Sequence, residues 1–223
     1  TSSSSGEEDR IVIGLYGKAA PNSVAILKAL CDEQHGGYQT SCKPKDESRT
    51  LQKDQLEANK VYNSCIESVE NRGTGVTYDL STVWRVIPND RIDVGAVQGK
   101  FISRLPPNFQ EENNPLKHDT KGTVSVRRGD EGGFGFTIYP GSSDETSSLD
   151  ESHIVVGRVL EGMDIVEKLN QIPVVKSAAY TGGPRAAPRA APSRACRYGS
   201  SEYFCSEYKP LKKILITRTG ILS

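Results

Sequence analysis

Three histidines, His35, His118 and His153, stand apart and without carboxylates at ligand spacing, which argues against a metal site. The five cysteines, Cys31, Cys42, Cys65, Cys196 and Cys205, are too few for a disulfide scaffold and show no C-x-x-C spacing. Cys31 with Cys42, and Cys196 with Cys205, are close enough in sequence to pair in an oxidising compartment; the alternative is free, small apolar side chains. Gly132-Gly-Phe-Gly135 lacks the spacing of a phosphate loop, and Arg128-Gly-Asp130 spells an adhesion tripeptide but reads as a turn. None of these patterns singles out a reactive group; among the basic side chains, Arg85 stands in Trp84-Arg-Val-Ile-Pro88. An arginine stays charged and offers a rigid fork of donors, so its chemistry is electrostatic: it can stabilise charge that develops on a bound group. The plainer reading of Arg85 is a salt bridge at a sheet rim, that of His153 a loop histidine bonded to backbone, and that of Trp84 a core side chain.

The elements that would position these residues are mostly strands. Arg10-Ile-Val-Ile-Gly-Leu-Tyr16 alternates and is rich in β-branched residues, and strands also fit between Tyr78 and Ile87, Thr123 and Arg127, Gly135 and Tyr139, Ile154 and Val159, and Lys213 and Arg218. Asn22 or Ser23 can cap a helix running to Cys31, with Val24, Leu27 and Leu30 on its apolar face. Asp46 to Glu70 gives a weakly periodic polar helix, and Gly162 to Asn170 a short one. Strands in the majority with two principal helices suggest a β-barrel closed by helices.

The chain has 223 residues with 28 basic and 28 acidic side chains. Zero net charge argues against nucleic-acid binding through bulk electrostatics. No apolar run approaches the roughly 20 residues needed to span a bilayer, so any membrane association is peripheral. Apolar residues make up only 35%, so part of the chain contributes nothing to a core. Thr1-Ser-Ser-Ser-Ser5 looks like a processed terminus, and residues 1–9 read as a flexible tail ahead of a single domain spanning 10–223. Pro184-Arg-Ala-Ala-Pro188-Arg-Ala-Ala-Pro192 forbids a helix and favours an extended strap. The strap region, Pro173 to Pro210, carries a local excess of four positive charges, balanced by an equal negative excess elsewhere. It is either a solvated linker or an arm for an acidic partner surface.

Several segments together resemble the cyclophilins, the peptidyl-prolyl isomerase family built on an eight-stranded barrel. Arg10 to Gly17 looks like the family's first strand hairpin, and Ala20-Pro-Asn-Ser-Val24 through Cys31 like its first helix. Tyr78-Asp-Leu-Ser-Thr-Val-Trp-Arg-Val-Ile-Pro88 is similar to Tyr-x-x-Ser-x-Phe-His-Arg-Val-Ile-Pro, and Glu111-Glu-Asn-Asn-Pro-Leu-Lys-His118 to Glu-Asn-Phe-x-Leu-x-His. Gly133-Phe-Gly-Phe-Thr-Ile138 takes the place of Gly-Ser-Gln-Phe-Phe-Ile. Leu149-Asp-Glu-Ser-His-Ile-Val-Val-Gly-Arg-Val159 is the nearest match, and Lys212 to Gly220 resembles the closing strand. The resemblance covers residues 10–33, 76–172 and 209–222, and implies a mainly β fold: a closed eight-stranded barrel capped by two helices, with insertions at 34–75 and 173–208.

The activity implied is catalysis of X–Pro isomerisation, a rotation opposed by a barrier of about 18–20 kcal/mol from amide resonance. It needs no cofactor and no metal. It needs an apolar seat for the pyrrolidine ring and a cation that favours the twisted amide. The resemblance assigns the catalytic role to Arg85 and substrate contacts to His153, Gln98, Phe101, Phe136 and Leu149, with Gln98 and Phe101 reached only through an insertion. It also shows departures. The Phe-Met pair that walls the family's proline pocket is replaced by Asp90 and Arg91, the aromatic floor by Thr137, and the tryptophan before Leu149 by Ser148. Losing a buried aromatic removes about 1.5–3 kcal/mol of apolar burial, so weak or absent isomerase activity is expected.

Loop insertions on a rigid barrel are where new binding surfaces arise. The expected function is therefore a weak isomerase or folding and assembly factor acting on proline-containing peptides. The alternative is a non-catalytic protein-binding subunit of a large, photosynthetic membrane complex. Divergent cyclophilins of this kind resemble those of plastids, which implies a plastid location, in the thylakoid lumen, and an assembly role there.

Overall fold

The computed structural model describes residues 9–45, 47, 51–71, 73–96, 103–141, 149–175 and 208–222. In chain order its elements are β1 (Val12–Leu15), α1 (Pro21–Cys31), α2 (Gln52–Ile66), a π-helical turn (Glu67–Asn71), β2 (Thr82–Ile87), β3 (Arg91–Ala96), β4 (Thr123–Arg127), β5 (Phe136–Tyr139), β6 (His153–Glu161), α3 (Met163–Asn170) and β7 (Ile214–Leu215). The strands form one seven-stranded antiparallel sheet in the order β1-β6-β4-β5-β3-β2-β7. The mainly β architecture of the expectation holds. Seven strands rather than eight appear among the described residues, and β1 and β7 are the edges of the sheet instead of closing on each other. The last strand shrinks to two residues because the chain before it turns aside: Tyr208 and Lys209 bond to Val175, and the Tyr208 carbonyl accepts from Val86 N–H.

Strand alternation makes the two faces of this sheet chemically different. Val86 pairs with Ile92, Ile92 with Ile138, and Ile138 with Val124, a row of fully buried aliphatics across β2, β3, β5 and β4. One residue along, Arg85 pairs with Asp93, Asp93 with Thr137, and Thr137 with Ser125. Successive side chains on a strand point to opposite faces, so the first row builds the core and the second a polar stripe on the other side. Val24, Leu27 and Leu30 of α1 and Val166 of α3 complete the core.

β3 has no counterpart among the strands expected from the sequence, because Arg91 and Asp93 break its apolar run. A tight turn produces it: Asp90 N–H donates to the Ile87 carbonyl at 3.1 Å, and Asn89 takes φ 62°, a left-handed conformation that asparagine tolerates better than most residues. That turn sets the register Ile87 to Arg91 and hence Arg85 to Asp93.

Helix α1 starts at Pro21, whose fixed φ suits a first helical position. Neither Asn22 nor Ser23 caps it, contrary to expectation. Glu111, from a distant loop, accepts from Ser23 N–H at 2.8 Å and places a carboxylate at the positive end of the helix.

The long excursion after α1 leaves and returns at one place. Tyr38 and Val76 exchange backbone hydrogen bonds of 2.9 Å each, and Gly75 packs where a Cβ would lie 2.2 Å from the Gly36 carbonyl oxygen, so only glycine fits. Within the excursion Cys42 is disulfide-bonded to Cys65 of α2, with Cα atoms 6.0 Å apart. Of the two alternatives for Cys31, the free one holds: it is half-buried against the core, and Cys42 pairs not with it but with Cys65, because the chain folds back through α2. Cys196 and Cys205 lie outside the described residues, as do the strap from 176 to 207 and the tail to residue 8. Arg104, fully buried, ties the excursion down by donating to the carbonyls of Thr40 (2.7 Å) and Thr74 (2.5 Å). Burial lowers its pKa.

Candidate functional site

The polar stripe is the candidate site. Arg85 Nε donates to Asp93 Oδ2 at 2.5 Å, and Thr137 Oγ1 donates to Asp93 Oδ1 at 2.7 Å. Three neighbouring strands in register thus bring a cation, a carboxylate and a hydroxyl into one chain of contacts. The Arg85 guanidinium also lies 4.4 Å from the centre of the Trp84 ring. Trp84 was expected in the core; the β2–β3 register shifts between Val83 and Arg85, which frees Trp84 from strict alternation, and its ring turns to the arginine. Bonded below and stacked on one side, the guanidinium has its plane set. Because Nε is the inner nitrogen, the outer fork of Nη1 and Nη2 lies beyond the ion pair, and the side chain is 26% exposed.

Arg91 stands beside this group, its Nε 3.8 Å from Asp93 Oδ2 and 3.9 Å from Asp90 Oδ2, distances that give electrostatic contact without a hydrogen bond. That Nε is buried with no hydrogen-bond partner among the described residues.

Two histidines lie further along. His153 heads β6 and is buried, with Nδ1 2.8 Å from Ser152 Oγ. Burial pushes its pKa down to about 4, against a smaller opposing pull from the Asp93 charge, so it is neutral at pH 7. Its backbone N–H donates to the Leu149 carbonyl at 2.8 Å, so the fully buried Leu149 shapes the turn that presents it. The His118 ring meets the His153 ring edge to face at 6.3 Å. His118 itself bridges Asp150 Oδ1 (2.7 Å) and Ser125 Oγ (2.8 Å). Burial works to raise the Asp150 pKa, but the hydrogen bonds from His118 outweigh it and hold the carboxyl below its usual range. Carboxylate, imidazole and hydroxyl are thus ordered as in a hydrolase, yet Ser125 is 0% exposed, so no substrate can reach its oxygen. The trio ties the loop before β4 to β4 and to the turn before β6.

Of the residues singled out from the sequence, Arg85 and His153 belong to this region, with Leu149 behind His153. Phe136 does not line it. Its backbone neighbour Thr137 takes the site face, so Phe136 packs against the core and meets Tyr78 edge-on at 5.3 Å. Gln98 and Phe101 lie outside the described residues. Sequence reasoning missed Asp93, the nearest partner of Arg85. The signal was present: a turn centred on Asn89 places residues four before and four after it opposite each other.

The sequence pattern of the family described as "Cyclophilin type peptidyl-prolyl cis-trans isomerase/CLD" matches residues 2–186. The chain belongs to the cyclophilin-type isomerases. It is 30% identical over 175 residues to "Peptidyl-prolyl cis-trans isomerase B" of Saccharomyces cerevisiae, covering 75% of this chain and 66% of that protein. It is 35% identical over 106 residues to "Peptidyl-prolyl cis-trans isomerase" of Encephalitozoon cuniculi, covering 44% of this chain and 59% of the relative. A shorter stretch of 66 residues is 47% identical to "Peptidyl-prolyl cis-trans isomerase-like 4" of Mus musculus, covering 28% of this chain and 13% of that one. The chain thus spans less than two thirds of the length of the relatives it matches. In this cyclophilin the stripe around Arg85 can do one kind of chemistry: it can present a fixed guanidinium to a polar group laid over the β2–β3–β5 face. Among the described residues no group of three or more His, Cys, Asp or Glu could hold a metal ion.

Proposed function

We propose that this cyclophilin binds proline-containing peptide segments over the β2–β3–β5 face and isomerises their X–Pro bond slowly, with Arg85 as the catalytic cation. One observation carries the reading: the guanidinium is held through Nε and by the Trp84 ring, so the outer fork is set to donate to a substrate amide as it twists. A preorganised donor of this kind stabilises the transition state without moving. The rate is low because Asp90, Arg91 and Thr137 stand at the positions that resemble the apolar walls and floor of the family's proline pocket. The loss of one aromatic wall alone weakens ring binding by about 1.5–3 kcal/mol, more than tenfold. The test is an isomerisation assay on an Ala-Pro peptide by exchange NMR with micromolar protein. Turnover above the uncatalysed rate that disappears in Arg85→Ala is expected; equal rates for both proteins, at the uncatalysed level, would overturn the reading.

A second reading is a non-catalytic, peripheral protein-binding subunit of a large photosynthetic membrane complex. It is favoured by helix α2, where Cys65 is the buried residue while Leu51, Leu56 and Val61 stay exposed on a disulfide-tethered arm. The Cys42–Cys65 bond supports an oxidising compartment, as the thylakoid lumen would be. A pull-down from native membranes with and without the arm separates the readings: loss of partners with isomerase activity unchanged supports the scaffold.

A further inference from the structure

We propose that Asp93 governs Arg85: it is a positioning residue whose buried carboxylate aims the guanidinium and, at the same time, cancels part of its charge at the place a substrate carbonyl would occupy. This inference rests on the isomerase reading and deepens it, by naming what limits the site. Asp93 lies opposite Arg85 in the β2–β3 register, its side chain is 6% exposed, and one oxygen is taken by Arg85 Nε and the other by Thr137 Oγ1. Both contacts are short, so the carboxylate has no freedom to swing away. Arg91 approaches the same oxygen only to 3.8 Å, and Arg85 is therefore the cation whose orientation Asp93 controls.

Orientation and charge pull in opposite directions here. Hydrogen bonding through the inner nitrogen aims the outer fork, which helps a twisted amide. A full negative charge beside the guanidinium in a half-dry site opposes the positive field that the amide should feel. His153, neutral at pH 7, adds no compensating charge, and Arg91, 3.8 Å from Asp93 Oδ2, is shared with Asp90 at 3.9 Å, so it offsets the Asp93 charge only in part. An amide at position 93 would keep the first effect and remove the second. Its oxygen would accept from Arg85 Nε, and its NH2 would donate to Thr137 Oγ1, which can accept as well as donate.

The test compares Asp93→Asn, Asp93→Ala and Arg85→Ala with the unaltered chain, using an Ala-Pro peptide and exchange NMR. Asp93→Asn is expected to raise kcat/KM about tenfold, with the gain in kcat, because only the transition state feels the restored field. Asp93→Ala is expected to fall below the unaltered protein, since the guanidinium is no longer aimed. A merely structural Asp93 would instead lower both in step with their melting temperatures, and that outcome, or an Asp93→Asn rate no higher than the original, sinks the proposal. Should the Asp93 variants not fold, the unaltered protein still decides, with Arg85→Lys needed only for assignment. Its Arg85 Nε–H, assigned by its loss in Arg85→Lys, is expected to exchange slowly with solvent, and exchange at the rate of a free arginine overturns the role. Failure of the two readings is distinguishable. If no protein exceeds the uncatalysed rate, the isomerase reading falls with the inference. If turnover depends on Arg85 but Asp93→Asn does not raise it, only the role of Asp93 falls.

Discussion

Asn89 and Asn170 hold each other across two elements: Asn170 Oδ1 accepts from Asn89 N–H at 2.8 Å, and Asn170 Nδ2 donates to Asn89 Oδ1 at 2.9 Å. The first sits at the tip of the β2–β3 hairpin and the second at the end of α3, so this reciprocal pair braces the turn that sets Arg85 against Asp93.

The pair is surface-exposed, and its two hydrogen bonds are worth about 1 kcal/mol together. Urea unfolding of Asn170→Ala should show a loss of that size. At position 89 the backbone adds a second effect, because φ 62° is unfavourable for most side chains. Asn89→Ala is therefore expected to be less stable than Asn89→Gly by about 1 kcal/mol. Equal stability of the two would contradict the role given to this turn.

The disulfide between Cys42 and Cys65 closes a loop across a sequence separation of 23. A cross-link of that span restricts the unfolded chain enough to contribute about 3 kcal/mol. The double substitution Cys42→Ser, Cys65→Ser should lower the melting temperature, and a non-reducing peptide map should recover the two cysteines on one linked fragment. Cys31 should behave differently: burial first, then the charges of Asp79 and Asp32, push its thiol up to about 11, so it should resist alkylation at pH 8 in the folded protein. Rapid labelling of Cys31 under native conditions would refute that environment.

Stability should fall on the acid side, and His153 accounts for part of the slope. Its pKa drops from 6.5 to about 4 on folding, so between those values the unfolded chain takes up a proton that the folded one refuses. Unfolding is thereby favoured progressively as pH falls from 6.5, by about 3 kcal/mol once pH is below 4. Asp150, held below its usual range, adds to the loss at still lower pH, since protonation gives up its bonds to His118. Denaturant titrations across pH 7 to 4 should be flatter for His153→Asn than for the unaltered chain; parallel curves would show that His153 is not buried neutral.

Local pattern carried much of the fold. Alternating β-branched residues announce β1, β4 and β6, and Pro21 followed by spaced aliphatics announces α1. The motif around Arg85 is legible through its likeness to the family's, and most of it lies on one strand, β2, which ends at Ile87. Local pattern failed at β3, where Arg91 and Asp93 interrupt the apolar alternation that marks a strand. It also failed at Phe136 and Thr137, because alternation says that neighbours face opposite ways and not which of them faces the core.

Most of the strands and the helix α1 follow from the sequence alone, because alternation and apolar spacing are set by residues a few positions apart. The family, the candidate cation and the places where the chain departs from the family core follow from the likeness of whole motifs in order. The carboxylate that holds Arg85, the disulfide partner of Cys42, the Trp84 ring beside the guanidinium and the placing of Thr137 on the Asp93 face were decided only by tertiary structure. Each is a meeting of residues on different strands or at the two ends of a long loop. Such meetings follow from strand register and loop closure, which no stretch of sequence contains by itself.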